Sequence, residues 1–149
     1  MELGIKIGKE DPPREYCNWD EVENLVKIVA EKIRTSNKSY DVILGITNGG
    51  VIPARLMARE LKNDYIQLIP VRHKKLYKEE MPTLFKSKKY LVIDEIYDTG
   101  DIYSKVHDTL KNFDCDFAFL MSRYQFNNFN EAYIGKILNH NKWVVFPWE

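Results

Sequence analysis

Four acids, Asp94, Glu95, Asp98 and Asp101, stand close together directly after the apolar run Tyr90-Leu91-Val92-Ile93. A short continuous apolar run predicts a strand buried on both faces, so two adjacent carboxylates arrive at a sheet edge. Asp98-Thr99-Gly100 reads as a turn, and a helix begins at about Asp101. The N–H groups of a helix N-terminus favour an anion such as phosphate. Hydroxyl acceptors thus lie beside a phosphate cradle, a pairing that suits a sugar phosphate. A plain strand–turn–helix, with Asp98 or Thr99 as a helix cap, explains each residue singly but not four acids at one strand end. Upstream, Thr47-Asn48-Gly49-Gly50 is turn chemistry in which two glycines allow close backbone approach to an anion. Between the two motifs runs a basic segment with Arg72, His73, Lys74, Lys75, Lys78, Lys86, Lys88 and Lys89, relieved by Glu79 and Glu80. It is either a solvated surface loop or a contact for an anionic ligand that brings a divalent cation.

The elements that must position these residues follow from periodicity. Asn18 or Asp20 can cap a helix, with Glu21 or Glu23 as capping-box partner. Val22, Leu25, Val26, Val29 and Ile33 then recur at helical spacing, to an end near Thr35. Asp41 to Ile46 predicts a buried strand, Val51 to Leu61 a helix with Pro53 in its first turn, and Tyr65 to Val71 another strand. Residues 72–89 predict mostly loop. Tyr90 to Ile93 predicts a strand ending at Asp94-Glu95, 101–112 a helix, and Phe117 to Met121 a strand. The tail from Asn127 reads as irregular, with a last strand at Trp143 to Phe146. Alternating strands and helices argue for an α/β fold with a mostly parallel central sheet and helices on both faces. Ligands in such sheets sit beyond the carboxyl ends of the strands, where both motifs fall.

The chain has 149 residues, 22 basic and 22 acidic, and is 44% hydrophobic. That suits one domain, 1–149. Its apolar content is too high for a disordered chain. No apolar run approaches the roughly 18 residues of a membrane span, and residues 1–16 hold no apolar stretch of secretory-signal length. Cys17 and Cys115 form no disulfide framework or zinc pattern, which fits a reducing cytoplasm. Zero net charge disfavours a dedicated nucleic-acid binder. The chain lacks Gly-Lys-Ser/Thr and Gly-x-Gly-x-x-Gly, so neither a nucleotide P-loop nor a dinucleotide fold is supported.

A strand followed by two acids, a spacer and Asp98-Thr99-Gly100 resembles the signature of type I phosphoribosyltransferases, which bind phosphoribosyl pyrophosphate (PRPP). The resemblance runs from about Tyr40 to Glu149. It implies that Asp94 and Glu95 bind the ribose hydroxyls and reach a Mg²⁺ ion indirectly, through PRPP and water. Asp98 would lie at the base, as general acid/base. Thr99, Gly100, Asp101, Ile102 and Tyr103 would cradle the 5-phosphate, with Ile102 where relatives usually carry Thr or Ser. Gly45 to Ala54 is similar to the pyrophosphate-binding loop of the family, with Thr47, Asn48, Gly49 and Gly50 as contacts; Asn48 stands where many purine-specific relatives carry Arg or Lys. The family has a mobile loop that closes over PRPP, which makes Arg72, His73, Lys74, Lys75 and Tyr77 candidates here.

The tail Asn141-Lys142-Trp143-Val144-Val145-Phe146-Pro147-Trp148-Glu149 resembles that of xanthine-guanine and archaeal-type purine phosphoribosyltransferases. There it forms a small C-terminal hood over the base. The resemblance implies that Trp143 stacks on a purine, that the Val144 backbone reads its edge and that Arg123 contacts the 6-oxo group. Phe146 or Trp148 is expected to pack the core. The expected reaction transfers 5-phosphoribosyl from PRPP to guanine, xanthine or hypoxanthine, giving the nucleoside monophosphate and pyrophosphate, in a cytoplasmic homo-oligomer such as a homodimer. A PRPP- or nucleotide-binding regulator, favoured by Ile102 and Asn48, and an enzyme for another base remain as alternatives.

Overall fold

The computed structural model describes residues 13–126 and 132–149. Nine strands and three helices are formed among them: β1 (Arg14–Tyr16), α1 (Trp19–Thr35), β2 (Val42–Ile46), α2 (Val51–Leu61), β3 (Ile66–Ile69), β4 (Val71–Arg72), β5 (Lys75–Leu76), β6 (Lys89–Tyr97), α3 (Asp101–Leu110), β7 (Asp114–Ser122), β8 (Tyr133–Ile137) and β9 (Trp143–Val145). Five of the strands make an all-parallel sheet in the order β3-β2-β6-β7-β8.

Strand alternation splits the core in two. Ile43, Leu91, Ile93, Ala118 and Leu120 pack beneath α1 and α2. Val42, Leu44, Ile46, Tyr90, Val92, Phe117 and Phe119 pack beneath α3, with Val106 and Leu110. The helices therefore lie on both faces, as the sequence predicts. Asn18 is the cap of α1, its side chain accepting from the Glu21 N–H at 2.9 Å. Cys17 and Cys115 are free, and burial pushes both thiols up to about 12. Among the described residues no helix is long and apolar enough to cross a membrane.

Two expectations need correction, and two short strand pairings go beyond what the sequence announces. β6 does not end at Asp94-Glu95 but runs on to Tyr97, because Asp94 and Ile96 keep their register with Phe119 and Met121 of β7. The tail is not irregular throughout: 133–137 is the edge strand β8, while 127–131 lie outside the described residues. β1, which no sequence signal announces, pairs in parallel with β9 and joins it as a two-stranded hood. The basic segment opens with a two-residue hairpin, β4–β5. His73 and Lys74 have φ of 52° and 62°, the positive pair that lets a tight hairpin match strand twist.

Candidate active site

The strand order fixes where a ligand can sit. From β2 the chain moves outward through α2 to β3; from β6 it moves the other way through α3 to β7. The carboxyl ends of β2 and β6 thus flank the topological switch point, where doubly wound sheets bind their ligands. Thr47 to Gly50 follow the first strand, and Asp94 to Gly100 end and follow the second.

The two motifs touch. A Cβ on Gly49 would run into the Glu95 side chain, so glycine lets the loop lie against that acid without pushing it aside. A Cβ on Gly50 would meet the carbonyl oxygens of Ile93 at 2.5 Å and Ile46 at 2.6 Å. The loop carries a cis Thr47–Asn48 peptide. Its Thr47 Oγ1 accepts from the Val71 N–H at 2.9 Å and lies 2.8 Å from the Val71 carbonyl, tying the loop to the start of the basic hairpin. The Asn48 side chain is exposed.

Alternation along β6 sends the adjacent acids to opposite faces: Asp94 shares the face of Tyr90 and Val92, Glu95 that of Leu91 and Ile93. Burial pushes the Asp94 carboxyl up to about 7, the Glu95 N–H at 2.7 Å from Oδ1 offsetting a little of that. Glu95 is pushed up to about 8 by burial first, then by the charges of Glu149 and Asp94. Among the described residues neither acid has a Lys or Arg partner. Trp148 supplies Glu95 with a donor instead, its Nε1–H lying 2.8 Å from Oε2. Trp148 also stacks on Phe146, 5.1 Å between ring centres, so it packs the hood and holds an acid at once. Only the packing role was legible in the tail; nothing in the local sequence pairs residues 53 positions apart.

Beyond the acids, Gly100 takes φ 89° with the Tyr97 hydroxyl against it, and α3 begins. Thr99 Oγ1 accepts the Asp101 N–H at 3.2 Å. The first turn of α3 opens on a cavity of about 160 Å³ lined by Asp94 to Tyr103, Lys74 and Phe119. First-turn amides have no intrahelical acceptor, so the cavity offers a cradle for an anion beside Asp94. Ile102 is half-buried against the α3 core, its missing hydroxyl leaving the backbone amides in place.

The remaining predicted residues sit around this centre. Asp98 is exposed and bonds to Arg123, Nε to Oδ1 at 2.8 Å. Trp143 is 55% exposed on β9, while the Val144 side chain is buried. Of the hairpin residues, Lys74 reaches the cavity, held by Lys105 Nζ, which donates to its carbonyl at 2.7 Å. Arg72 turns to Glu80 through two bonds of 2.9 Å, its guanidinium 4.0 Å from the Tyr77 ring centre; His73 and Lys75 are exposed. The Lys105 bond to Lys74, the Trp148 bond to Glu95 and the approach of Tyr97 to Gly100 were not legible in the sequence.

A family model of the phosphoribosyl transferase domain matches residues 15–149. The xanthine-guanine phosphoribosyltransferase of Cereibacter sphaeroides is 22% identical, over 95% of this chain and 92% of its own. The solved purine phosphoribosyltransferase of Pyrococcus horikoshii is 27% identical and superposes with a TM-score of 0.73, over 91% of this chain and 93% of its own. The xanthine-guanine-hypoxanthine phosphoribosyltransferase of Helicobacter pylori, 17% identical, shares the fold at a TM-score of 0.72 over the same shares of the two chains. Because the domain match runs through both strand ends of the switch point, the chain belongs to the phosphoribosyl transferase family and has its type I fold.

Proposed function

We propose that this protein transfers the 5-phosphoribosyl group of PRPP to a 6-oxopurine, guanine, xanthine or hypoxanthine, and releases pyrophosphate. The observation that carries the reading is the contact of Gly49 with Glu95, which brings a glycine loop suited to pyrophosphate against an acid suited to ribose hydroxyls. The exposed indole of Trp143 on the hood supports a flat heterocycle as acceptor. The xanthine-guanine and purine relatives point the same way.

In this reading the bond from the anomeric carbon to pyrophosphate breaks and a bond to a ring nitrogen forms, through an oxocarbenium-like state. Asp94 and Glu95 hold the ribose hydroxyls from the two faces of β6. The amides of residues 99–103 hold the 5-phosphate, and Thr47 to Gly50 hold the pyrophosphate. Asp98 bonds to the purine at N7 and acts there as general acid/base. Hairpin β4–β5, with Lys74 already at the cavity, covers the site and excludes water. The protein mostly positions reactants and stabilises charge.

The donor set fits Mg²⁺. That ion takes one or two carboxylates plus substrate phosphates rather than an all-protein cage. Asp94 and Glu95 are such a pair, and among the described residues no cluster of three or more His, Cys, Asp or Glu could hold a metal. The two acids would reach it through PRPP and water, and the chemistry it would supply is neutralisation of the leaving pyrophosphate.

Asp98→Ala tests the assignment. Losing a positioned acid/base should lower kcat about 10²–10⁴-fold, with the circular dichroism spectrum unchanged. Unchanged turnover would remove Asp98 from the mechanism.

A further inference from the structure

The geometry points to Arg123 as a positioning residue that holds Asp98 and the hood in fixed register, a role separate from contact with the base. This rests on the roles proposed above for Asp98 and Trp143. Arg123 follows β7, and its backbone N–H donates to the Tyr97 carbonyl at 3.0 Å, so residues 98 and 123 leave neighbouring parallel strands side by side. Its side chain is only 17% exposed. Nε donates to Asp98 Oδ1 at 2.8 Å, and the terminal nitrogens donate to the carbonyls of His140 at 3.0 Å and Lys142 at 2.8 Å.

Three acceptors on two separate segments use the planar fork of a guanidinium, which the compact ammonium of Lys does not reproduce. The segment that offers the carbonyls is itself ordered. The Lys142 N–H donates to His140 Nδ1 at 3.0 Å, and His140 Nε2 lies 3.2 Å from Glu15 Oε2 on β1. The Trp143 N–H donates to the Pro13 carbonyl at 2.8 Å. Since Lys142 directly precedes Trp143, one side chain sets the spacing between the Asp98 carboxylate and the exposed indole. Charge-assisted bonds are the strong ones, and a misplacement of about 1 Å lowers a rate about 10²-fold.

The test places Arg123→Met and Arg123→Lys in the wild-type protein, and Arg123→Met also on Asp98→Ala. Arg123→Met should lower kcat about 10²-fold with the KM for PRPP unchanged and the ranking of guanine, xanthine, hypoxanthine and adenine preserved. Arg123→Lys, which keeps the charge, should recover little. On Asp98→Ala, Arg123→Met should cost clearly less than in the wild type, because only the bonds to the His140 and Lys142 carbonyls remain to be lost. An equal loss in both backgrounds, or a shift toward adenine with kcat retained, overturns the proposal. Amide hydrogen exchange at residues 142–144 needs no turnover: Arg123→Met should speed it about ten-fold or more, and unaltered exchange overturns the clamp. If the wild-type protein turns over no base but exchange responds to Arg123→Met, the proposed reaction falls and the clamp stands.

Discussion

Replacing Asp94 by Asn should make the protein more stable at alkaline pH while removing its hold on PRPP. Burial moves the Asp94 carboxyl from 3.8 to about 7. The folded form therefore binds the proton more tightly than the unfolded chain. This contribution favours folding at low pH and is lost as pH rises from about 4 toward 7. Three units at about 1.4 kcal/mol each give about 4 kcal/mol of destabilisation, fully developed above pH 8. Asn keeps the shape and the oxygen that accepts the Glu95 N–H, without the charge. It also removes one of the charges that push Glu95 up, which acts in the same direction. Urea unfolding should show Asp94→Asn ahead of the wild type by about 4 kcal/mol at pH 9 and about 2 kcal/mol at pH 5. A variant no more stable at pH 9, or a gain equal at both pH values, would refute the reasoning. Isothermal titration with PRPP and Mg²⁺ at pH 9 should show binding lost in the more stable protein.

Trp148→Phe keeps a ring to stack on Phe146 but loses the donor to Glu95. Glu95 is mostly protonated at pH 7, and a hydrogen bond between neutral groups contributes about 0.5–1.5 kcal/mol, so the urea midpoint should fall by that equivalent and the KM for PRPP should rise, measured by initial rates. The two glycines of the loop should separate fold from function. Gly49→Ala meets a side-chain carboxylate that can shift, so stability should fall by under about 1 kcal/mol while PRPP binding weakens, read by denaturation and titration. Gly50→Ala meets two backbone carbonyls that cannot, and its urea midpoint should fall by the equivalent of about 2 kcal/mol or more.

The central strands were legible because their chemistry is local. β2 and the start of β6 are continuous apolar runs, as strands covered on both faces must be. β8 was not: it is an edge strand of mixed burial containing Gly135, where a Cβ would meet the Leu120 carbonyl at 2.5 Å. The hairpin turn uses His73 and Lys74 rather than the Asn-Gly or Asp-Gly that signals such turns. The acids looked like a strand end because charge in a buried strand contradicts the apolar pattern; only the ladder with β7 reveals that β6 continues. The site divides the same way. The motifs at residues 47–50 and 94–103 can be read in sequence because each is contiguous. The Asp98–Arg123 and Glu95–Trp148 bonds join residues 25 and 53 positions apart, and no periodicity encodes such a pairing.

Ile102 and Asn48 also look different in three dimensions. The Ile102 side chain packs against the α3 core, and the amides of that turn owe nothing to the side chains they carry. Asn48 is exposed at the loop, where its amide can donate a hydrogen bond without bringing charge.

The central claim is tested most directly by PRPP- and Mg²⁺-dependent pyrophosphate release, with guanine, xanthine, hypoxanthine, adenine and uracil offered separately. Turnover is expected with one or more of the three 6-oxopurines and none with uracil. Silence with every base, in protein that binds PRPP by calorimetry, would contradict it.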